Sequence, residues 1–535
     1  MKKIGISLII LILLAFAGTF YLEVWLAKKI PEIINTNPDR NYDLLFEDVE
    51  INLLQKGVEL QTIVLVPLND SLATKMNGSL RSILMGNVNF MALIFNSKLE
   101  IGEIKLIEPA FRLIQSDRKS SANESSQAFQ ELFQDLISRG EIRNFILEKG
   151  TAEMFIDKDS LYRFGQFTDL NIIAHGIETD SVIATYAIPF KLKSIVTSLK
   201  NLKIITDYNQ EFRVEEASFN SSAQTADFKG ISLKYDNQIS GARAEADFQK
   251  DLIQFEIKEF GLSQIDAEST IYGNWSIFAG LASIDSLVLE DLRDKNKPRP
   301  EEPEKPLFEG MVENIPFPIK LDSVKISNST ISYKEIPMGK ASPIVLNFQE
   351  INGFITNLIS TDSLQKDGLM KVDVSSNLNG YAPVSMSIDI PYGTNSFELD
   401  ASMGGFDMVE LNEIFEPLGK FKVESGTLRG LKLHMTANEK GSSNQVNFDY
   451  ENLKLEVLNS DGSKKGKNGI LSTVANLMTS KENLPENKNY KISRHWTNRN
   501  PYRAPFNLIW ISTKDGLMAI VPSGLGNIFI SDNKK

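Results

Sequence analysis

The sequence predicts a mainly β protein: an N-terminal transmembrane helix followed by an elongated sheet with a few short amphipathic helices. Three observations carry this. Residues 4–22 form an uncharged, apolar run after Lys2 and Lys3. Much of the remaining chain alternates apolar and polar residues over strand-length stretches, the period of a half-buried strand. One frame, NFILEKGTAEMF from Asn144, returns as IKLIEPAFRL from Ile104, FRVEEASFNS from Phe212, VKISNSTISY from Val324 and FKVESGTLRG from Phe421.

The N-terminal run is long enough to span a bilayer core as a helix. Tyr21 and Trp25 stand where an interfacial aromatic belt would lie. Ala15-Phe16-Ala17 also resembles a signal-peptidase site, so an uncleaved anchor and a cleaved leader are both open. No second long apolar run exists, which places everything after about Lys28 on one side of the membrane. At 535 residues the body is too long for one compact core.

In the recurring frame, Lys149-Gly150 reads as a two-residue turn. Leu147 would then face Ala152 and Phe145 would face Met154 across a hairpin with one apolar face. The same count sets Val324 opposite Tyr333 and Ile326 opposite Ile331 across Asn328-Ser329, and Val423 opposite Leu428 across Ser425-Gly426. Glu108-Pro109 fits such a turn poorly, because proline cannot take positive φ.

Short helices are expected before three copies. Phe129, Leu132, Phe133, Leu136 and Ile137 have helical spacing, as do Leu307, Phe308, Met311, Val312 and Ile315, and then Leu411, Ile414, Phe415 and Leu418. Asp407 with Glu410 resembles a capping box. Two copies also follow hydrophilic linkers, 116–127 and 294–306. The succession of linker, helix and strands occurs twice, roughly 180 residues apart, as an internal duplication or the reuse of one supersecondary unit would give. A late helix is expected around Ile470–Met478. The resulting segments are an anchor (1–27), an N-terminal β segment (28–115), a first helix-plus-β module (116–293), a linker (294–306) and a second module (307–535).

Catalytic chemistry has no visible carrier. There is no cysteine, and the three histidines (His175, His434, His495) lie far apart with no metal-ligand spacing. No phosphate loop, dinucleotide fingerprint or nucleophile elbow appears. Glu301-Glu302 sit in the linker as solvated charges. No catalytic residue, cofactor or metal ligand is assigned, and the protein is expected not to be an enzyme. A net charge of −12 without a basic cluster argues against nucleic acid as a partner.

Taken together, INLLQKGVELQTIVL, SKLEIGEIKLIEPAFRLIQ, IKLDSVKISNSTISY and the C-terminal VELNEIFEPLGKFKVESGTLRGLKLHM, FDYENLKLEVL and RNPYRAPFNLIWISTKDGL resemble the AsmA-like family of bacterial envelope proteins, which is related to TamB-type proteins. The resemblance covers most of the chain and rests on the order of these segments. It implies a repeating β-groove, a long curled sheet with an apolar trough. It also implies a single-pass inner-membrane protein whose bulk is periplasmic, with a role in phospholipid movement or outer-membrane maintenance. The chain is shorter than the longest members, so a bridge across the periplasm by one chain is not expected.

In such a groove Phe145, Leu147, Met154, Val324, Ile326, Ile331, Val423 and Leu428 would line the path of bound phospholipid; in a closed sheet the same residues would be core. The expected partners are the bilayer, a bound phospholipid and other envelope proteins. The alternatives are a non-enzymatic scaffold for envelope proteins and a secreted β protein released by cleavage after Ala17.

Overall fold

The computed structural model describes residues 17–30, 42–68, 74–96, 100–116, 142–157, 160–177, 192–206, 209–266, 276–301, 303–365, 368–415, 421–457 and 481–521. Most of the predicted anchor, the first linker with its helix, and the expected helix near Ile470 lie outside them. Among the described residues the chain is mainly β, with 22 strands assigned to one sheet. It divides into two compact units. Unit 1 is Met1–Ile231 with Gln264–Trp275, and unit 2 is Ser232–Ser263 with Ser276–Lys535.

Unit 1 opens with helix α1 (17–30). Then come β1 (Tyr42–Leu45), β2 (Asp48–Asn52), β3 (Gly57–Pro67), β4 (Thr74–Gly86), helix α2 (Phe90–Asn96), β5 (Glu103–Ile107), β6 (Ala110–Ser116), β7 (Asn144–Asp157), β8 (Leu161–His175), β9 (Ser194–Ile205) and β10 (Gln210–Asn220). β11 (Thr225–Tyr235) and β12 (Asp251–Ile265), with helix α3 (Gln238–Glu245) between them, divide between the units. β1 and β2 both pair with β3. The β3–β4, β7–β8, β8–β9 and β9–β10 neighbours are antiparallel. β5 and β6 form one interrupted strand, antiparallel to β4 and parallel to β7.

Among the described residues no helix is long and apolar enough to cross a membrane. The last turns of α1 pack into the fold. Leu26 and Ile30 are fully buried in the unit 1 core, and Glu23 Oε1 accepts a hydrogen bond from the Leu53 N–H. Tyr21 and Trp25 remain exposed.

Unit 2 continues with β13 (Ile277–Asp294), helix α4 (Phe308–Glu313), β14 (Ile319–Ile336), β15 (Ile344–Ile359), helix α5 (Asp362–Gln365), β16 (Leu369–Leu378), β17 (Ala382–Pro391), β18 (Ser396–Met403) and β19 (Phe406–Asp407). A 3-10 turn (Met408–Leu411), helix α6 (Asn412–Phe415), β20 (Phe421–Asn438), β21 (Gly441–Val457), β22 (Ile492–Asn498) and helix α7 (Pro505–Ile520) follow. β13 and β14 are parallel; from β14 the ladder runs antiparallel through β15, β16, β17, β18, β20, β21 and β22. A parallel pair needs a crossover connection. The Pro- and charge-rich stretch 294–306 with α4 is that connection between β13 and β14. Asp407 caps the 3-10 turn, accepting from the Val409 N–H (3.0 Å).

The recurring frame is not a hairpin, which corrects the turn reading. Asn144–Asp157, Ile319–Ile336 and Phe421–Asn438 each run as one strand. At the supposed turns a single residue, Lys149, Asn328 or Gly426, has positive φ, and the register slips there against the next strand. These are β-bulges. Phe145 therefore lies in the same strand as Met154, and Val324 in the same strand as Tyr333. A bulge adds one residue and so shifts the alternation by one. Phe145 and Leu147 before it, and Ala152 and Met154 after it, consequently share a face. Glu108 has positive φ as well, and Pro109 follows in the break between β5 and β6.

The bulges line up across neighbours. Glu108, Lys149 and Asp169 are level in β5/β6, β7 and β8, and Ser286, Asn328 and Glu350 are level in β13, β14 and β15. One side-chain device fixes both rows. Asn171 Oδ1 accepts from the Lys149 N–H (3.0 Å) while its Nδ2 donates to Asp169 O (2.8 Å). Asn352 Oδ1 accepts from the Asn328 N–H (3.1 Å) while its Nδ2 donates to Glu350 O (2.8 Å). The two copies stand roughly 180 residues apart, the spacing of the repeated units in the sequence.

Candidate functional site

The apolar face of unit 2 is the strongest candidate, and its register defines it. On β14, Val324, Ile326, Ile331 and Tyr333 share one face across the bulge. Ala282, Ile284, Leu289 and Asp291 of β13 pair with them on one side, and Ile355, Gly353, Phe348 and Leu346 of β15 on the other. Val324 is buried (5 % exposed), whereas Ile284, Leu289, Ile326, Ile331, Leu346 and Phe348 keep part of their surface. Gly353 is required by close approach: a Cβ there would stand 2.2 Å from Asp373 O. It also leaves no side chain opposite Ile326.

Toward the C-terminus the same face closes. Val423 and Leu428 are buried in a core with Leu399, Met435 and Tyr450. Asn412 clamps Val423 from above: its Oδ1 accepts from the Val423 N–H (2.7 Å) and its Nδ2 donates to Val423 O (2.8 Å). Helix α7 covers β21 and β22. Pro505 starts it, in the first-turn position where a missing N–H costs nothing. Leu508, Ser512, Gly516 and Ile520 form its buried stripe. A Cβ on Gly516 would meet Val446 at 2.4 Å; Ser512 Oγ meets Ser442 Oγ at 3.0 Å. His495 joins this contact. Because Ser512 O can only accept, the His495 Nε2 3.0 Å away carries the proton. His495 is thus a packing residue beneath α7.

In unit 1, Phe145 and Leu147 are buried in the core that holds Leu26 and Ile30, with Met154 half-buried beside them. Of the eight residues expected to line a groove, five are buried. Met154, Ile326 and Ile331 retain accessible surface, and only Ile326 and Ile331 are neighbours on one strand.

The half-exposed face of unit 2 ends in a polar cluster that the alternation pattern passed over. Asp291 pairs with Tyr333, and Arg293 with Glu335, across β13 and β14. Arg293 Nη2 donates to Asp251 Oδ2 (2.9 Å), the Tyr333 hydroxyl to Glu335 Oε2 (2.7 Å), and Lys295 Nζ lies 2.7 Å from Glu335 Oε1. Burial, reinforced by the Asp251 charge and opposed by Arg293, pushes the Asp291 carboxyl up to about 6. Burial beside Glu335 pushes the Tyr333 hydroxyl far upward, so it stays protonated. The signal was present in SLVLEDLRD, where Asp291 follows Leu287 and Leu289 at an apolar-parity position.

Across β16, β17, β18 and β20 the opposite face of unit 2 is polar. Asp373, Ser387, Asp400 and His434 form one cross-strand row, and Ser375, Ser385, Ser402 and Lys432 the next. All of these residues but His434 line an open depression of about 680 Å³. His434 stands between Asp400 (Nδ1 to Oδ1, 2.9 Å) and Glu398 (Nε2 to Oε1, 3.6 Å). The two carboxylates address different ring nitrogens, so an ion on either nitrogen would face one of them across the ring. The group reads as a surface histidine held between two carboxylates.

No family model and no curated protein matches the sequence.

Proposed function

We propose that the protein is a non-enzymatic lipid-handling protein of the cell envelope, anchored by its N-terminal segment, with its body in the periplasm. The acyl chains of a bound phospholipid would lie on the half-exposed apolar face of β13, β14 and β15. The observation that carries this is the change in cover along one continuous face: closed beneath α7, half-open around Ile326 and Ile331. Each methylene moved from water onto such a surface contributes roughly 0.8 kcal/mol, so an acyl chain can be held without chemistry. The resemblance to AsmA-like groove proteins points the same way.

The test is native mass spectrometry with lipid extraction on the full chain purified in mild detergent. A stoichiometric phospholipid is expected. Ile326→Asp should abolish it while the melting transition persists, because Ile326 is not fully buried. Lys325→Asp, on the other face, should leave the load unchanged. A folded, lipid-free wild-type protein would overturn the proposal and favour a scaffold role.

A further inference from the structure

The polar end of the unit 2 apolar face holds a carboxylate, Asp291, with one oxygen that accepts no hydrogen bond. Asp291 follows Leu289 on the same face and is flanked by Tyr333, yet its Oδ1 is buried without a hydrogen-bond partner. Of the cations around it, Arg293 hydrogen-bonds to Asp251 and reaches Asp291 as a charge that opposes the rise of its carboxyl, while Lys295 pairs with Glu335. On the reverse face Lys334 pairs with Glu290 at 2.6 Å and Arg243 with Asp294 at 2.8 Å, so neither cation serves Asp291. A carboxylate in such a place costs desolvation energy with little return. Persisting there, it suits a cationic donor brought by a ligand, because a charge pair beside apolar surface is stronger than one in open water.

We propose that Asp291 receives the ammonium of an amine-bearing amphiphile whose hydrocarbon lies along Ile326 and Ile331. This rests on the lipid-handling reading above and adds selectivity by headgroup. An amphiphile of equal chain length without the amine leaves Asp291 unanswered and binds more weakly. The groups facing Asp291 are Tyr235 from β11, Asp251 from β12, Arg293 on its own strand, and Tyr333 with Glu335 from β14. Burial raises both tyrosines, which stay neutral. With the Asp291 carboxyl at about 6, the preference is expected at pH 7.5 and should fade at pH 5.

The experiment is calorimetric titration of the full chain, stripped of lipid, with lysophosphatidylethanolamine and lysophosphatidylglycerol of one acyl length. At pH 7.5 the amine head should bind about tenfold more tightly, a factor equivalent to ~1.4 kcal/mol. Asp291→Asn should erase that preference and keep the chain-dependent binding; Asp291→Glu should restore it. Free ethanolamine should not compete. Equal affinities in the wild type, or a preference surviving in Asp291→Asn, would overturn the inference, and the wild-type comparison needs no variant to fold. Competition by free ethanolamine would make this a small-amine site and refute the amphiphile. If neither lysolipid binds, the lipid reading itself fails.

Discussion

Replacing Asn352 by alanine tests whether the bulge rows are held by side chains or by backbone preference alone. In the wild type Asn352 makes two hydrogen bonds, one from the Asn328 N–H (3.1 Å) and one to Glu350 O (2.8 Å). Asn328 and Glu350 both sit at positive φ, a conformation that L-residues adopt at a cost. A hydrogen bond contributes about 0.5–1.5 kcal/mol net. Asn352 is exposed, so water replaces part of what is lost. The expected destabilisation is therefore about 1–2 kcal/mol for both bonds together. Asn352→Asp keeps the acceptor and loses the donor, and should fall between. Urea denaturation measures the stability, and hydrogen exchange of a peptide containing Asn328 reads the local effect. The Asn328 amide should exchange faster in Asn352→Ala than in the wild type. If it stays equally protected and stability changes by less than about 0.3 kcal/mol, near the limit of measurement, the side-chain account of the bulge is wrong. Asn171→Ala should act alike on Lys149.

Three further outcomes are expected. The Asp291 carboxyl rises from 3.8 to about 6 on folding, so the folded chain holds the extra proton between those values and stability falls as pH rises through them. In lipid-free protein Asp291→Asn should match the wild type near pH 4 and exceed it at pH 7.5 by about 1 kcal/mol, a figure discounted for partial solvation; urea midpoints at both pH values decide it, and a less stable variant at pH 7.5 contradicts the sign. Glu309 is buried and its carboxylate accepts from the Gly393 N–H and, at 2.8 Å, from the Asn395 N–H. Glu309→Gln retains one acceptor and turns a donor toward the other N–H, so a loss of about 2–3 kcal/mol is expected in thermal melts; a neutral effect would show that this carboxylate does not hold the β17–β18 turn. Gly353→Ala puts a methyl group against Asp373 O, and a loss of about 1–3 kcal/mol follows from overpacking; unchanged stability would mean that β15 and β16 can separate freely.

Alternation made the β class and the shared apolar faces readable in advance, since Phe145, Leu147, Ala152 and Met154 do lie together. The connection between them was not readable by the same rule, because a tight turn and a bulge both recruit residues tolerant of positive φ. The discriminating clue was chemical. A type I′ turn needs two successive residues at positive φ, and neither Ser329 nor Pro109 suits the second place. One left-handed residue followed by an ordinary one describes a bulge, and it accounts for the misfit of Glu108-Pro109. The α4 helix was visible because Leu307, Phe308, Met311 and Val312 repeat at helical spacing. Helix α7 was hidden because its buried stripe includes Ser512 and Gly516, residues chosen for close approach rather than hydrophobicity. Cover was unreadable altogether: Ile326 and Val423 look alike in sequence, and only packing by Asn412 and its neighbours makes Val423 fully enclosed.

The aligned bulges also bear on how the long strands find their partners. In a plain amphipathic ladder, sliding one strand by two residues returns every side chain to its proper face, so slippage is cheap and errors persist. Such a slide of β14 would carry Asn328 away from Asn352 and set a left-handed residue against extended neighbours. Each bulge therefore acts as a detent, with one register in which it seats. A single-residue deletion elsewhere in β14, with the bulge at Asn328 kept, would turn the strand beyond the deletion inside out. Length changes in these strands should thus be tolerated only in the connections, however permissive the surface sequence becomes.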